Sequence, residues 1–207
     1  MKLYTFDAAP NPRRLNYFLK YKGIEIETEQ VDLGPGQQQH SEEYGRINPL
    51  RTVPTLVLDD GSILTEVIGQ CVYLEELYPE KPLLGTTAME KGLVINWDHR
   101  LFITGLMAIA DAFRNSHPAF EGRGMPGPIP LPQIPELAER GTIRLEHFWP
   151  SMDAHLAGNT WVIGDSFSFA DIDLYCAVEF AAWIKSGIPE ECENLKRWHA
   201  GAGAELS

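Results

Sequence analysis

The hydrophobic pattern in the first third of the chain predicts short strands alternating with helices. Apolar side chains recur at alternate positions in 24–33, as expected of a strand, and at helical spacing in 13–22. Glycine and proline interrupt the pattern at Gly23 and at 34–36. The predicted elements are, in chain order, a strand at 2–6, a helix at 13–22, a strand at 24–33, a short helix within 37–45, strands at 56–58 and 63–64, and a helix that begins after Thr65 and stops before Pro79.

The clearest turn in this region lies between its last two strands. Asp60-Gly61 stands between two apolar runs, which is typical of a β-hairpin. Thr65 is predicted as the N-cap of the following helix, with Glu66 placing a negative charge in the first turn. The hairpin and the helix together predict that residues 56–77 fold as one compact strand–strand–helix segment.

The rest of the chain has helical periodicity and no segment that predicts a strand. Proline and glycine in 80–85 predict a linker, with one domain at 1–79 and another at 86–207. A stretch at 118–135 is rich in proline and glycine, so it is predicted to be a loop. The predicted helices are one or two at 87–116, one at 136–158 that Pro150 should kink or divide, one at 168–185 and one at 190–199.

A capping box opens the third of these helical regions. Ser168 can accept from the amide three residues on, and Asp171 can reach back to the amide of Ser168. Phe167 and Ile172 are spaced for a hydrophobic staple across this helix start. The helix that follows is apolar on nearly all sides, which predicts that it forms the core of the second domain.

Composition and charge narrow the possible partners. The 207-residue chain has a net charge of −12, which argues against nucleic acid because binding there depends on neutralising phosphates. No apolar run approaches a membrane span, so no membrane partner is expected. Three widely spaced cysteines without a Cys-x-x-Cys motif favour a reducing cytoplasm. Cys71 and Cys176 lie in apolar helical patterns and should be buried, whereas the polar surroundings of Cys192 predict exposure.

Several ordered motifs resemble the glutathione S-transferase family. They are Val-Pro-Thr-Leu at 53–56, Asp-Gly at 60–61, Leu-Thr-Glu at 64–66, Tyr-Leu-Glu-Glu-Leu-Tyr-Pro at 73–79 and Gly-Asp-x-x-Ser-x-Ala-Asp-Ile at 164–172. The resemblance implies an α/β thioredoxin-like N-terminal domain followed by an all-α C-terminal helical domain. It also implies a cytoplasmic homodimer that acts in detoxification.

The resemblance further implies where glutathione, the co-substrate, would bind. In the family the proline at the position of Pro54 is cis, and the residue before it, here Val53, pairs its backbone with glutathione. Glu66 would meet the amino group of glutathione. The family has a serine where this chain has Val67, so the resemblance implies weaker binding of the γ-glutamyl carboxylate here. The candidates for the glycyl carboxylate are Gln39, His40, Arg51 and Thr52.

The residue that faces the glutathione thiol is less obvious, because the loop after the first strand contains no Tyr, Ser or Cys. Asn11 is the remaining candidate, and its loop resembles that of bacterial nu-class and fungal nitrogen-regulator-like transferases. The nu class has a threonine where this chain has Ala9. An asparagine side chain can donate an N–H to a thiolate without titrating itself. The simpler interpretation is that Asn11 is only a turn residue between two prolines.

The partner substrate would be a small electrophile or a disulfide, bound against the long helix of the second domain. Candidate contacts are Arg100, Ile103, Met107 and Arg114. The histidines lack the spacing of a metal site, so no metal is predicted. Two functions remain open at this point: an enzyme that stabilises the glutathione thiolate for conjugation or for reduction of disulfides or peroxides, and a non-catalytic or weakly active binding or regulatory protein of the same fold.

Overall fold

The computed structural model of the chain describes residues 1–34 and 37–207. They form two compact units, one made of Met1–Lys81 with Met125–Leu131, the other of Pro82–Gly124 with Pro132–Ser207. The first unit is therefore discontinuous in sequence, which the predicted domain limits did not anticipate. Within the described ranges, no helix has the length and apolar character needed to cross a bilayer.

The first unit is a four-stranded mixed sheet with three α-helices. The strand order is β2-β1-β3-β4, with β1 parallel to β2 and antiparallel to β3, and β3 antiparallel to β4. The strand order was not predicted, but the chain order of strands and helices, βαβαββα, is the one expected from the sequence for a thioredoxin-like domain, and that fold class is confirmed. The elements are β1 (Lys2–Thr5), α1 (Pro10–Lys22), β2 (Glu27–Gln30), α2 (Glu42–Ile47), β3 (Thr55–Val57), β4 (Ile63–Leu64) and α3 (Val67–Leu77), with a short 3₁₀ turn at Gln38–His40.

The end of α1 and the turn of the β3–β4 hairpin lie where the sequence predicts them. Gly23 ends α1 in the left-handed conformation, with φ at 70°, and its amide donates to the carbonyl of Lys20. Gly61, with φ at 84°, turns the β3–β4 hairpin, and the Asp60 carboxylate accepts from the amide of Ser62. That hydrogen bond also lowers the pKa of Asp60. The predicted break at 34–36 falls largely on Pro35 and Gly36, which lie outside the described residues.

Two predictions for this unit are wrong in detail. The predicted strand at 24–33 shrinks to β2 because only Glu27–Gln30 lies in register with β1. The N-cap of α3 is Glu66 and not Thr65: Glu66 has extended backbone angles, and its carbonyl accepts the first helical bond from Gln70. A strand limit depends on its partner strand and a cap on one residue's backbone angles, and neither is visible in a hydrophobic pattern.

The second unit is helical, as predicted. Its helices are α4 (Ala88–Leu101), α5 (Met107–Arg114), α6 (Pro135–Leu156), α7 (Phe169–Ala181) and α8 (Glu193–Leu206). A π turn at Phe102–Leu106 joins α4 to α5, and α6 continues through Pro150 without division. Short 3₁₀ turns lie at Pro118–Phe120 and Ala182–Ile184.

Helix α7 is the core of this unit. Eleven of its residues are buried, and so is its N-cap Ser168. The Asp171 carboxylate accepts from the Ser168 amide as the predicted capping box requires, whereas the Asp171 amide donates to the Ser168 carbonyl and the Ser168 hydroxyl donates to the Asp171 carboxylate. The carboxylate of Asp171 also accepts from the amide of Val162 and the indole N–H of Trp198, each at 2.8 Å. Burial raises the pKa of Asp171 to about 6, against the hydrogen bonds that lower it.

All three cysteines are buried, and none of them forms a disulfide. This confirms the prediction for Cys71 and Cys176 and overturns it for Cys192, which is the N-cap of α8 and packs in the core with Leu195 and Trp198. Burial raises the pKa of the Cys192 thiol. Its polar neighbours in sequence face elsewhere, so local polarity was a poor guide to its position.

Candidate functional site

The sheet of the first unit brings three separate segments to one of its ends. Because β3 is antiparallel to both β1 and β4, its beginning lies beside the ends of those two strands. The start of α1 follows β1, the loop at 52–54 precedes β3, and the start of α3 follows β4. Three predicted site residues, Asn11, Val53 and Glu66, are therefore carried to the same end of the sheet. We call this group the sheet-edge site.

The loop before β3 contains the cis peptide bond between Val53 and Pro54 that the family resemblance implied. Paired residues in β3 begin only at Thr55, so Val53 lies outside the ladder and can pair with an added peptide. The buried side chain of Gln70 donates to the carbonyls of Pro54 at 3.1 Å and Leu64 at 2.7 Å. Helix α3 thus holds the proline loop and the end of β4 together.

A polar network holds the other side of the same loop. The Tyr44 hydroxyl donates to the Thr52 carbonyl at 2.6 Å, and the Asn48 side chain donates to that carbonyl at 3.0 Å and to the Thr55 hydroxyl at 2.9 Å. Burial raises the pKa of the Tyr44 hydroxyl, so it stays protonated and can donate at physiological pH. The loop is therefore fixed before any ligand arrives. The Thr52 carbonyl is committed to this network.

The start of α3 offers hydrogen-bond donors to an anion. The first bond inside the helix comes from the amide of Gln70, so the amides of Val67, Ile68 and Gly69 have no backbone acceptor among the described residues. The helix dipole adds partial positive charge at the same place. The Val67 side chain is buried at 4% exposure, so it contributes packing there and no polar contact.

Glu66 stands at the same helix start with its side chain exposed. It makes no cap hydrogen bond, and no salt bridge to it exists in the parts of the chain that are described. A carboxylate beside a row of amide donors forms a two-part site, with an acceptor for a cation next to donors for an anion. An α-amino acid group carries that pair of charges.

The start of α1 places Asn11 at the second helical position, between two prolines. Pro10 and Pro12 have no N–H, and the Arg13 amide already donates to Ala9 at 3.0 Å. Among the first three residues of α1, the only backbone N–H therefore belongs to Asn11. The guanidinium of Arg14, which is 3% exposed, donates to the Asn11 side-chain oxygen at 3.1 Å.

That hydrogen bond fixes which way the Asn11 amide faces. Arginine can only donate, so the atom that meets Arg14 must be the carboxamide oxygen. The Nδ2 group then faces the opposite way with its N–H bonds, and it has no acceptor within the described residues. Hydrogen bonding to a cation also polarises the amide, which strengthens the remaining N–H groups as donors.

The segment at 39–41 lies beside the proline loop through Arg51. The Arg51 guanidinium donates to the carbonyls of Ser41 at 3.0 Å and Gln39 at 3.4 Å. Gln39 is buried, and its side-chain oxygen lacks a hydrogen bond within the described chain. His40 is exposed next to it. Arg51 ties this segment to the loop that contains Thr52, and no single one of these residues is selected by the geometry, so a contact with the glycyl carboxylate stays a prediction.

The four predicted second-substrate residues lie in the second unit, and the structure separates them into different settings. Arg100 ends α4 with its guanidinium 4.6 Å from the centre of the Trp97 ring, and Ile103 lies exposed in the π turn. Met107 begins α5. The prediction assumed one continuous α-helical face, but the wider π turn changes the register between Arg100 and Met107.

Arg114, the fourth of these residues, is engaged by the loop that follows α5. Its guanidinium donates to the carbonyls of Arg123 and Gly124. Burial, with help from the charge of Arg123, lowers the pKa of Arg114 to about 10. The visible contacts give it an anchoring role in this loop, and a contact with a second substrate stays a prediction.

Sequence reasoning missed the residues that support the sheet-edge site. Tyr44, Asn48, Gln70 and Arg14 are all buried and all bind site segments. One signal was available: Asn11 and Arg14 are three residues apart in a helix, a spacing at which side chains meet. The others act over tertiary contacts that no local pattern reveals.

Comparison with known proteins finds a family match in each half of the chain. Residues 8–77 match the family model described as glutathione S-transferase, N-terminal domain, and residues 141–202 match the C-terminal domain of the same family. Glutathione S-transferase 2 of Saccharomyces cerevisiae is 30% identical over 201 residues, which cover 96% of this chain and 84% of that protein.

Solved structures agree with this. Gtt2 from Saccharomyces cerevisiae superposes with a TM-score of 0.88 at 29% identity, covering 100% of both chains. A glutathione S-transferase from Methylobacillus flagellatus, solved with glutathione bound, has a TM-score of 0.79 at 22% identity, over 100% of this chain and 98% of that one. At 22% identity, the similarity to the Methylobacillus flagellatus structure shows the fold alone.

Proposed function

The chain belongs to the glutathione S-transferase family and is a glutathione transferase, and we propose that it binds glutathione at the sheet-edge site with the thiol facing Asn11. The observation that carries this proposal is the arrangement of three ligand-ready groups at one end of the sheet. They are the unpaired backbone at Val53, the open amides at the start of α3 beside Glu66, and the Nδ2 group of Asn11.

Each part of the tripeptide has a chemically matched group. The cysteinyl backbone of glutathione pairs with Val53 as a short added strand. The γ-glutamyl carboxylate meets the amides at the start of α3, and its ammonium meets the Glu66 carboxylate. The glycyl carboxylate lies toward Arg51 and its neighbours Gln39 and His40. This orientation leaves the cysteinyl sulfur at the start of α1.

The catalytic task at that position is to keep the sulfur ionised. A free thiol has a pKa of about 8.5, and hydrogen-bond donors or a helix N-terminus lower that pKa. Asn11 supplies its backbone N–H and its Nδ2–H, and the dipole of α1 adds to them. The thiol proton leaves to solvent, and the thiolate then attacks the electrophilic atom of the second substrate. The new bond to sulfur forms as the leaving group departs with its electron pair; in a disulfide the leaving group is the other thiolate, and in a peroxide it is the alkoxide or hydroxide. No general base is needed, because the thiolate is stabilised and not generated by a neighbouring side chain.

The second substrate is proposed to be a small electrophile, a disulfide or a peroxide. The names of the relatives favour a transferase over the non-catalytic binding protein that the sequence left open. Retention on immobilised glutathione, followed by turnover with a panel of electrophiles and disulfides, tests this. A protein that passes through the column unretained and turns over none of them would sink the proposal.

A cytoplasmic location is also proposed. All three cysteines are buried and none forms a disulfide, which fits a compartment that keeps thiols reduced.

Separate substitutions at Glu66 and at Val67 should change the affinity for glutathione in opposite directions. Glu66→Ala removes the partner of the ammonium group, and we expect glutathione to bind about tenfold more weakly, as for a lost hydrogen bond to a charged group. Val67→Ser adds a hydroxyl beside the carboxylate, and we expect about tenfold tighter binding by the same reasoning. Titration calorimetry with glutathione measures both.

A glutathione analogue without the α-amino group separates the two effects. Wild type and Glu66→Ala should bind this analogue equally, because the group that Glu66 recognises is gone. Glu80→Ala, another exposed glutamate of the same unit, is the matched control and should leave the affinity for glutathione unchanged. If Val67→Ser binds glutathione no better than wild type, the serine argument is wrong.

A homodimer is the proposed assembly, and each unit exposes apolar side chains that suit it. Val72 and Leu77 are exposed on α3, and Met89 and Leu93 are exposed one turn apart on α4. We expect sedimentation velocity at micromolar concentration to give a dimer for wild type and a monomer for Leu93→Glu. Ile63→Glu, at an exposed position on β4, should remain dimeric. A monomeric wild type would count against the dimer.

A further inference from the structure

Arg51 has a backbone conformation that arginine rarely adopts. Its φ is 55°, which makes it one of four non-glycine residues with a positive φ in the described ranges. Glycine enters this left-handed region freely, whereas a residue with a Cβ meets a steric penalty there. Strained residues of this kind persist only where other contacts hold them, and they cluster at ligand sites. Arg51 lies two residues before Val53, so the strain lies within the loop of the sheet-edge site.

The side chain of Arg51 holds the segment 39–41 against this loop. Its Nη1 group donates to the carbonyl of Ser41 at 3.0 Å and to the carbonyl of Gln39 at 3.4 Å. No carboxylate pairs with it in the described part of the chain, although the net charge of the chain is −12. Because its acceptors are two neutral carbonyls, the contact depends on where the planar guanidinium lies and less on its charge.

Gly45 in α2 leaves room for this guanidinium. The three atoms nearest to a Cβ added at Gly45 would all belong to Arg51, with Nη2 at 2.9 Å and Cζ at 3.1 Å. The guanidinium therefore lies against the bare backbone of the helix. Glycine is a poor helix former, so Gly45 weakens α2 by itself. Two locally unfavourable residues, a left-handed arginine and a helical glycine, meet in a single contact, which indicates a function for that contact.

The contact joins two segments that glutathione would span in the proposed function. The loop carries Val53, which would pair with the cysteinyl backbone. The segment 39–41 carries Gln39 and His40, two of the candidates for the glycyl carboxylate. A single residue of peptide reaches no further than about 3.6 Å, so a glycyl residue can bridge these groups only if their spacing is fixed.

We propose that Arg51 is a positioning residue that sets this spacing and so makes the site select thiol peptides with a carboxylate-bearing residue after the cysteine. It acts through the segment 39–41, to which its guanidinium is hydrogen bonded. The inference rests on the proposed function and names the ligand feature that this end of the site recognises. The site should prefer glutathione to γ-glutamylcysteine, the dipeptide thiol that lacks the glycyl residue.

Arg51→Gly removes the side chain and suits the left-handed backbone, so the turn should keep its shape. In titration calorimetry we expect glutathione to bind this variant about tenfold more weakly than wild type, because the displaced segment loses a hydrogen bond to the glycyl carboxylate. The affinity for γ-glutamylcysteine should stay within about twofold, since that ligand does not reach the segment. The thiol pKa of bound glutathione should also be unchanged, because the sulfur lies at the start of α1.

Gly45→Ala tests the same contact from the other side. The added methyl group displaces the guanidinium while the arginine and its charge remain. We expect Gly45→Ala to weaken glutathione binding in the wild-type background and to have no effect in Arg51→Gly, where the atoms that it would meet are gone. Gly92→Ala is the matched control: an added Cβ there meets nothing within 4 Å on helix α4, and the affinity should be unchanged.

Hydrogen exchange in the ligand-free protein reports on the segment itself. The amides of His40 and Ser41 donate to the carbonyls of Gln37 and Gln38 at 2.8 and 2.9 Å. They are protected only while the segment keeps this shape. We expect faster exchange at both amides in Arg51→Gly than in wild type, and equal exchange would overturn a positioning role.

The binding measurements separate the remaining outcomes. Equal losses for glutathione and γ-glutamylcysteine in Arg51→Gly would mean that the arginine supports the loop as a whole, and the inference would be wrong. Wild-type affinity for glutathione in both Arg51→Gly and Gly45→Ala would also overturn it, with the glutathione site intact. If wild type bound neither ligand, the proposed function would fall together with the inference.

Discussion

Glutathione bound to an Asn11→Ala variant is expected to show a thiol pKa higher than in wild type by about one to two units. The wild-type Nδ2 group donates to the thiolate and not to the neutral thiol, so its loss penalises only the ionised form. A hydrogen bond to a charged group contributes about 1.5–3 kcal/mol, and one pKa unit corresponds to about 1.4 kcal/mol. Affinity for glutathione as a whole should change little.

Asn11→Asp should raise the thiol pKa further than Asn11→Ala does. Aspartate keeps the size of asparagine and can still accept from Arg14, so the loop should retain its shape. It removes the Nδ2 donors and places a carboxylate near the developing thiolate, where like charges disfavour ionisation. The order of thiol pKa values should therefore be wild type, then alanine, then aspartate. A role of Asn11 in shaping the turn would not produce this order.

Activity should follow the thiolate fraction. At pH values below the thiol pKa of glutathione bound to wild type, each unit by which that pKa rises should lower the rate about tenfold, because the ionised fraction falls by that factor. Above the raised pKa the variants should approach wild type. The loss of activity is confined to low pH because the Asn11 donor favours the thiolate. Its removal lowers the rate only where the thiolate is the minor form of the bound thiol.

The ultraviolet absorbance of the thiolate in bound glutathione, recorded against pH, measures the effect directly. Asn16→Ala is the matched control: it changes the same residue type on the same helix, and its side chain donates to the exposed Asp7. Its titration curve should overlay that of wild type. Curves for Asn11→Ala that also overlay wild type would remove the side chain from the mechanism and leave the Asn11 backbone N–H as the donor.

Asn11 also shows how much of the fold and of the candidate site could be predicted from the sequence. The motifs at 53–56 and 60–61 predicted the fold through their resemblance to the glutathione S-transferase family, and the turn at 60–61 could also be predicted because turn residues act on their own neighbours. The position of Asn11 after the first strand predicted its place at the end of the sheet. The orientation of its amide could not be predicted, since it depends on a hydrogen bond from the buried guanidinium of Arg14.

The rest of the site depends on contacts between distant parts of the chain. Tyr44 in α2 and Asn48, the C-cap of that helix, hold the loop before β3, although the sequence predicted only a short helix within 37–45. The segment Met125–Leu131 was predicted as a loop of the second half, yet it packs with the first unit. Cys192 has polar neighbours in sequence and apolar ones in space. Periodicity describes one element at a time, so none of these pairings could be derived from it.

Asp171→Asn is expected to destabilise the second unit by about 1–3 kcal/mol for each buried donor that loses its acceptor. With a pKa of about 6, the carboxylate is ionised at neutral pH and can accept all four of its hydrogen bonds. One oxygen accepts from Val162 and Trp198, and the other accepts from the amide and the hydroxyl of Ser168, both at 3.0 Å. These bonds join the start of α7 to α8.

Asparagine has nearly the shape of aspartate, so packing should survive while the hydrogen bonds do not. Whichever way the amide turns, its NH₂ group faces two donors, and at least one backbone or indole N–H loses its acceptor in a buried place. Urea unfolding monitored by tryptophan fluorescence measures the loss. Domains of this kind are commonly stable by only about 5–15 kcal/mol, so the midpoint should move substantially.

Asp165→Asn provides the comparison, because it makes the same chemical change six residues earlier at an exposed position. Its effect should stay within about 0.5 kcal/mol, as for surface substitutions in general. If the two variants unfolded at the same urea concentration, the stabilising free energy of the Asp171 hydrogen bonds would be no larger than the free-energy cost of burying the Asp171 charge. The capping box would then shape the start of α7 without stabilising the unit, and the apolar packing of α7 would have to account for its stability.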